Sequence, residues 1–210
     1  MYLFTRQTVL SGDLAGATEW AAKIGAHVTT VTGVDVSTWA TWFGAPLGTV
    51  TWSAWVESHD GLSVLSAVEA DPTYVALVKE GQAYGTAPHL MNMRSPLTPM
   101  PAERATLPLG AVATITSAVA AAGKLGAAAA WGSEVAAHVS SVTGDPIAFF
   151  ADAYGTFGQL TWIGVSADAK AADTANDKVS ADAGYMTMLD ATGGLFVEGS
   201  SSRMLSVRIG

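Results

Sequence analysis

Residues 3–10 and 111–119 are runs rich in the β-branched and apolar residues that favour strands, and each stretch gives way to a run in which apolar residues recur every three or four positions. Such runs predict strands, and a period near 3.6 predicts helices. In the first helix Leu14, Ala17, Trp20 or Ala21, Ile24, Val28 and Val31 form one stripe, and Gly33 stands where a helix ends in the left-handed conformation; Gly144 does the same for the second. Two strands follow each helix, at about 36–43 and 49–57 with a turn containing Gly44, Pro46 and Gly48, and at about 147–154 and 159–166 turning at Gly155 and Gly158. A further helix begins near Asp60 and restarts at Asp71-Pro72, a capping carboxylate followed by proline at the first helical position, and Asp182 is placed to cap in the same way. Closing strands are expected at about 89–94 and 203–209.

The two series are related by an internal repeat. AHVTTVTG at residues 26–33 returns as AHVSSVTG at 137–144, a shift of about 111 positions. At the same shift Gly12, Leu14, Ala17 and Trp20 match Gly123, Leu125, Ala128 and Trp131, while Gly44, Asp71 and Tyr74 match Gly155, Asp182 and Tyr185. With one deletion Thr51-Trp52 meets Thr161-Trp162. Pro96, Pro99, Pro101 and Pro108 crowd the middle of the chain, so a first repeat at 1–97, a proline-rich linker at 98–108 and a second repeat at 109–210 are expected. The order strand, helix, hairpin, helix, strand is the ferredoxin-like βαββαβ arrangement, which leaves one sheet face bare. The expected fold class is therefore α+β, with two such repeats burying their bare faces against each other as a single-chain pseudo-dimeric α+β barrel.

Composition narrows the functional classes. With 13% charged residues, a net charge of −8 and lysines and arginines scattered singly, the chain offers no patch for nucleic acid. The absence of cysteine excludes disulfides, thiolate catalysis and cysteine-ligated metal centres. The first ten residues lack the features of a secretory signal, and the most apolar stretch, 109–130, is interrupted by Gly110, Gly123, Lys124 and Gly126; no membrane span and a cytoplasmic location are expected. Low charge and abundant alanine suit a surface that meets another subunit, so a homo-oligomer is expected as well.

Several residues carry candidate chemistry. Trp39, Trp42, Trp52 and Trp55 fall on or beside the first hairpin, where they either line an aromatic pocket or fill the core. Alternation puts Thr49, Thr51, Ser53, Trp55 and Glu57 on the face expected to point into the barrel, and Val50, Trp52, Ala54 and Val56 on the face expected to take the helices. Arg6, Arg94, Arg203 and Arg208 sit on first or last strands, able to meet a carboxylate ligand or a neighbouring acid. His89 opens a strand after Pro88, and Asp152, a lone acid beside Phe149, Phe150 and Tyr154, would be a general base if buried or a surface acid if turned outward. The expected ligand-binding set is Trp42, Trp55, Arg6, His89 and Asp152, around a small apolar or aromatic ligand. His27 and His138 share repeat positions with Trp20 and Trp131; they could pair as metal or heme ligands, but their helical stripe points to the helix–sheet seam and to a structural, hydrogen-bonded role. No metal site is expected.

The helix around Trp20, the hairpin GAPLGTVTWSAWVE at 44–57 and the Asp71-Pro72-Thr73-Tyr74 segment resemble the dimeric α+β barrel superfamily, in particular its NIPSNAP and antibiotic-biosynthesis-monooxygenase branch. The resemblance implies a cavity associated with a sheet and either a small-molecule binder or a cofactor-independent oxygenase or isomerase. A non-catalytic assembly protein is the alternative of another class, because one fold hosts many chemistries. Heme-binding members of the superfamily make a heme protein a second alternative. Trp55 and His59 are similar to residues of heme-degrading members, but their spacing is short, the second half has no counterpart and the first strand lacks the asparagine such members carry, so no cofactor is expected.

Overall fold

The computed structural model describes residues 1–85, 88–100 and 106–210. Its elements are β1 (Tyr2–Val9), α1 (Leu14–Thr32), β2 (Val36–Phe43), β3 (Thr49–Val56), α2 (Asp60–Ser66), α3 (Pro72–Gly81) and β4 (Leu90–Pro96), then β5 (Val112–Val119), α4 (Leu125–Thr143), β6 (Ile147–Tyr154), β7 (Gln159–Ser166), α5 (Ala169–Ser180), α6 (Ala183–Asp190) and β8 (Ser202–Arg208). The eight strands close into a barrel in the order β1-β3-β2-β8-β5-β7-β6-β4, so the fold is α+β with helices outside a closed sheet. Every neighbouring pair is antiparallel, and the two seams between the first four strands and the last four are β2–β8 and β4–β6.

The first and last helical layers are pinned by the same bonds. Gly33 and Gly144 end α1 and α4 with positive φ, and their N–H groups donate to Thr29 O and Ser140 O. Trp20 Nε1 donates to Leu77 O and Trp131 Nε1 to Met188 O, tying each long helix to the shorter one beside it. Trp52 and Trp162 reach up from the sheet to donate to Ala21 O and Gly132 O, each at 2.9 Å. Around them, Leu10, Trp20, Ala21, Ile24, Val36, Val50, Trp52 and Ala54 form one core, and Ala118, Ala128, Ala136, Phe149, Leu160 and Trp162 the other.

The chain stays in the sheet further than its prolines suggest. Ser95 and Pro96 pair with Ala151 and Phe150, Leu97 N donates to Phe149 O, and Thr98 Oγ1 accepts from Phe149 N. Pro96 ends a strand, where its missing N–H breaks no ladder bond further along. The start of the expected linker is thus part of the β4–β6 seam, and its residues 101–105 lie outside the described residues.

His27 Nε2 lies 2.7 Å from Asp71 Oδ1, and His138 Nε2 lies 2.6 Å from Asp182 Oδ1. Each aspartate also accepts from the N–H of Tyr74 or Tyr185, capping α3 or α6 while clamping it to the long helix. The Tyr74 N–H and then His27 hold the Asp71 carboxyl below its ordinary value of 3.8; for Asp182, His138 acts first and the Tyr185 N–H second. A carboxyl depressed in the folded state contributes stability above its unfolded pKa and loses it as pH falls through the folded one. Urea midpoints are therefore expected to drop as pH falls below 3.8. The double variant Asp71→Asn, Asp182→Asn, which keeps both caps but cannot titrate, should show a flatter fall.

Candidate functional site

Alternation along the strands sorts side chains between barrel and helices. Val50, Trp52 and Ala54 of β3 pack under α1, so Thr49, Thr51, Ser53 and Trp55 face the barrel. Through the register of β1 against β3, Phe4 and Arg6 stand opposite Ala54 and Trp52 on the helix side, while Leu3, Thr5 and Gln7 turn inward. In β4, Met91 and Met93 share the outer face with Arg6 and Phe4, and Asn92 and Arg94 point into the barrel opposite Thr5 and Leu3.

The expected ligand-binding residues consequently separate into three places. Arg6 and His89 are outside the barrel, in the seam between sheet and helices, where Arg6 Nε donates to His89 Nδ1 at 3.1 Å. Trp42 is half exposed, beyond the centre of β2 and beside an irregularity in its pairing with β8. Trp55 and Asp152 face the barrel, the ring of Trp55 meeting Phe150 at 5.9 Å. One barrel cavity lined by all five is not what forms, because each lies on whichever face its position in the register dictates.

Inside the barrel the polar groups are largely consumed by one another. Arg94 donates through Nε to Asp152 Oδ1 at 3.0 Å and through Nη1 to Thr5 Oγ1 at 3.1 Å, and the Asn92 carboxamide oxygen accepts from Nη2. Only 1% of the Asp152 side chain and 11% of the Arg94 side chain are exposed. Burial pushes the Asp152 carboxyl above its ordinary value, against the pull of Arg94. Its Oδ2 makes no hydrogen bond of normal geometry among the described residues. The second seam carries a neutral version of this pair, Thr41 Oγ1 and Ser206 Oγ at 3.0 Å. Gln7 with Thr51 and Ser117 with Thr161 complete the matching set.

A cavity of about 470 Å³ opens on the other side of the sheet, under α1, α2 and α3. Trp20, Ile24, Val28, Val36, Trp52, Ala54 and Met91 make its walls apolar; Arg6 and His89 form one polar wall, and Tyr74, Gln82 and the exposed Glu69 lie toward the helices. That size is ordinary for a small-molecule site. Burial, and then the neighbouring Arg6 charge, lower the His89 pKa below its ordinary 6.5, which keeps the ring neutral. Arg6 has no carboxylate partner among the described residues.

The corresponding space under α4, α5 and α6 is about 160 Å³. Thr116 stands opposite Trp162 where Arg6 stands opposite Trp52, and Arg203 replaces Met91 beside it. Phe149 stacks on Trp162 at 4.7 Å and Phe196 closes on Trp131 at 5.4 Å, filling what is open in the first half. Among the described residues no group of histidines and acids is placed to hold a metal ion.

No protein-family model matches the chain, and no curated protein matches it in sequence. Solved structures do match in shape. A candidate monooxygenase from Fusobacterium nucleatum aligns over 100% of this chain and 92% of its own, at 7% identity and a TM-score of 0.72. An anthrone oxidase-like protein aligns over 100% and 92% at 8% identity and a TM-score of 0.65. A mutant chlorite dismutase from Candidatus Nitrospira defluvii aligns over 100% and 90% at 7% identity and a TM-score of 0.55. What this chain shares with them is an α+β fold whose eight strands close into a barrel, an arrangement compatible with the dimeric α+β barrels. At such identities the likeness speaks for the fold alone.

The histidines present do not fit heme ligation. His27 and His138 are engaged by aspartates, and His59 sits between the rings of Tyr2 and Tyr154, lining neither cavity. In His89 the Nδ1 lone pair already accepts from Arg6, so binding iron through Nε2 as well would require an imidazolate. Trp55 faces the barrel, its ring against Phe150.

No helix among the described residues is long and apolar enough to cross a membrane. The sequence pattern left the seam cavity unnoticed. Its one signal was Arg6, a cation on the helix-facing side of β1 between Phe4 and Thr8.

Proposed function

We propose that this protein binds a small, flat, largely apolar molecule in the cavity under α1 and α3 and acts on it as a cofactor-independent oxygenase or isomerase. The observation that carries this reading is the 470 Å³ space walled by Trp20, Trp52 and Met91 with a single polar wall, Arg6 and His89. An apolar chamber with a few convergent polar groups is what orients a small substrate. The names of structural neighbours, monooxygenase and anthrone oxidase-like, lend support. We read the chain as two ferredoxin-like repeats from a tandem duplication, the first keeping the chamber and the second filling it with Phe149 and Phe196. Support comes from the paired bonds of Trp20 and Trp131, of Trp52 and Trp162, and of His27 and His138.

Because Trp20 and Trp52 border the chamber, a bound aromatic should quench tryptophan fluorescence. Titration with bicyclic and tricyclic aromatics is expected to give saturable one-to-one binding, confirmed by native mass spectrometry. Val28→Trp, which fills the chamber from α1, should abolish binding without lowering the melting temperature. Oxygen uptake with the tightest binder then separates an oxygenase from an isomerase or a carrier. No saturable binding by any member would turn the reading toward assembly, which the exposed Phe43, Leu47 and Phe157 at the hairpin turns favour.

A further inference from the structure

We infer that the chamber under α1 and α3 selects an oxyanion, a carboxylate or an ionised phenol or enol carried on a flat apolar body. The inference rests on the proposed chamber and specifies its substrate class. An arginine side chain can only donate hydrogen bonds, so the atom that accepts from Arg6 Nε must be an unprotonated Nδ1. A neutral His89 then carries its proton on Nε2, and with Nδ1 occupied that N–H is the ring's remaining polar group.

His89 is thereby fixed as a donor, unable to serve as the base that its place in a pocket would suggest. Arg6 adds the rest of its guanidinium, and no carboxylate among the described residues neutralises it. Two donors and one uncompensated positive charge on an otherwise apolar wall are complementary to a single anionic oxygen or a carboxylate. The acid that lines the chamber, Glu69, is exposed at its helical side and forms no ion pair with Arg6. The matching space in the second half has Thr116 where Arg6 stands, and its arginine, Arg203, stands in the place of Met91 and donates to Asn176 Oδ1.

The test compares 2-naphthoate, 2-naphthalenemethanol and 2-naphthol on the full chain by fluorescence quenching and calorimetry. The naphthoate is expected to bind about tenfold or more tightly than the alcohol, the worth of a charge-assisted hydrogen bond. Arg6→Met should remove that advantage and leave the alcohol unaffected. His89→Gln, which places an amide N–H near the Nε2 position, should keep most of the naphthoate affinity, and His89→Phe should lose it. Affinity for 2-naphthol that rises as its hydroxyl ionises would assign the phenolate form; binding of the naphthoate alone would assign the carboxylate.

Nitrogen NMR of the imidazole at neutral pH gives a readout independent of any ligand, with a protonated Nε2 and a bare Nδ1 expected. An Nδ1–H tautomer or an imidazolium overturns the inference. Equal affinities for the naphthoate and the alcohol, both abolished by Val28→Trp, overturn it too while leaving the chamber as a binding site. Failure of all three probes to bind overturns chamber and inference together.

Discussion

Arg94→Met is expected to destabilise the protein by about 3–5 kcal/mol, because it strips the counter-charge from a carboxylate that cannot reach water. The Asp152 side chain is 1% exposed and already has one oxygen without a hydrogen-bond partner. Removing the guanidinium deprives the other oxygen as well, and leaves Thr5 and the Asn92 carboxamide without the donor they share. Urea denaturation at neutral pH measures the loss. Part of it should return as pH is lowered, since a buried, unpaired Asp152 escapes the penalty by taking up a proton. The second seam suggests the rescue, for Thr41 and Ser206 occupy the matching positions as a neutral hydrogen-bonded pair. The double variant Arg94→Ser, Asp152→Thr should be more stable than Arg94→Ser alone, a positive coupling in a double-mutant cycle. If the single variants simply add, the pair is not held as a unit.

Trp162→Ala is expected to cost a similar amount, about 3–5 kcal/mol, for a different physical reason. Its indole stacks on Phe149, meets Trp131 and Phe196 edge-on, and donates to Gly132 O. Packing there is so close that a Cβ on Gly132 would stand 2.3 Å from the Phe149 ring. Truncation therefore opens a void that its neighbours cannot fill and orphans a helix carbonyl. Trp52→Ala, in the equivalent place of the first half, should cost less, because Trp52 borders the 470 Å³ chamber whereas the space beside Trp162 is about 160 Å³. Chemical denaturation of both variants decides the point. Equal losses would mean that the chamber wall is packed as tightly as the second core. Trp162→Ala should leave naphthoate binding intact wherever the variant remains folded, since Trp162 does not line the ligand chamber.

Much of this architecture is written locally. Gly33 and Gly144, Asp71 and Asp182, and the alternation of Thr49, Thr51 and Ser53 against Val50, Trp52 and Ala54 are signals spanning a few residues, and the elements they imply appear where those signals fall. The site was harder to read because it depends on which face a strand turns to the helices, which pairing decides. Arg6 faces the helices only because it lies opposite Trp52, and Asp152 is buried only because β6 closes against β4, where Arg94 waits. Trp42 has the aromatic character of a pocket residue, yet sits near the end of its strand, half in solvent. The closing strand of the first half runs two residues past the expected Arg94, to Pro96, because the seam with β6 prolongs it.

Closure of the sheet through β2–β8 and β4–β6 also governs what the chain can become when it is cut. A single break between β4 and β5 would yield two polypeptides of nearly equal length, each with two raw sheet edges and an uncovered face. Each would carry half of what the other needs: Arg94 on one and Asp152 on the other, Thr41 on one and Ser206 on the other. Such pieces suit reassembly in trans as a split protein, and each alone is a strong candidate for edge-to-edge aggregation.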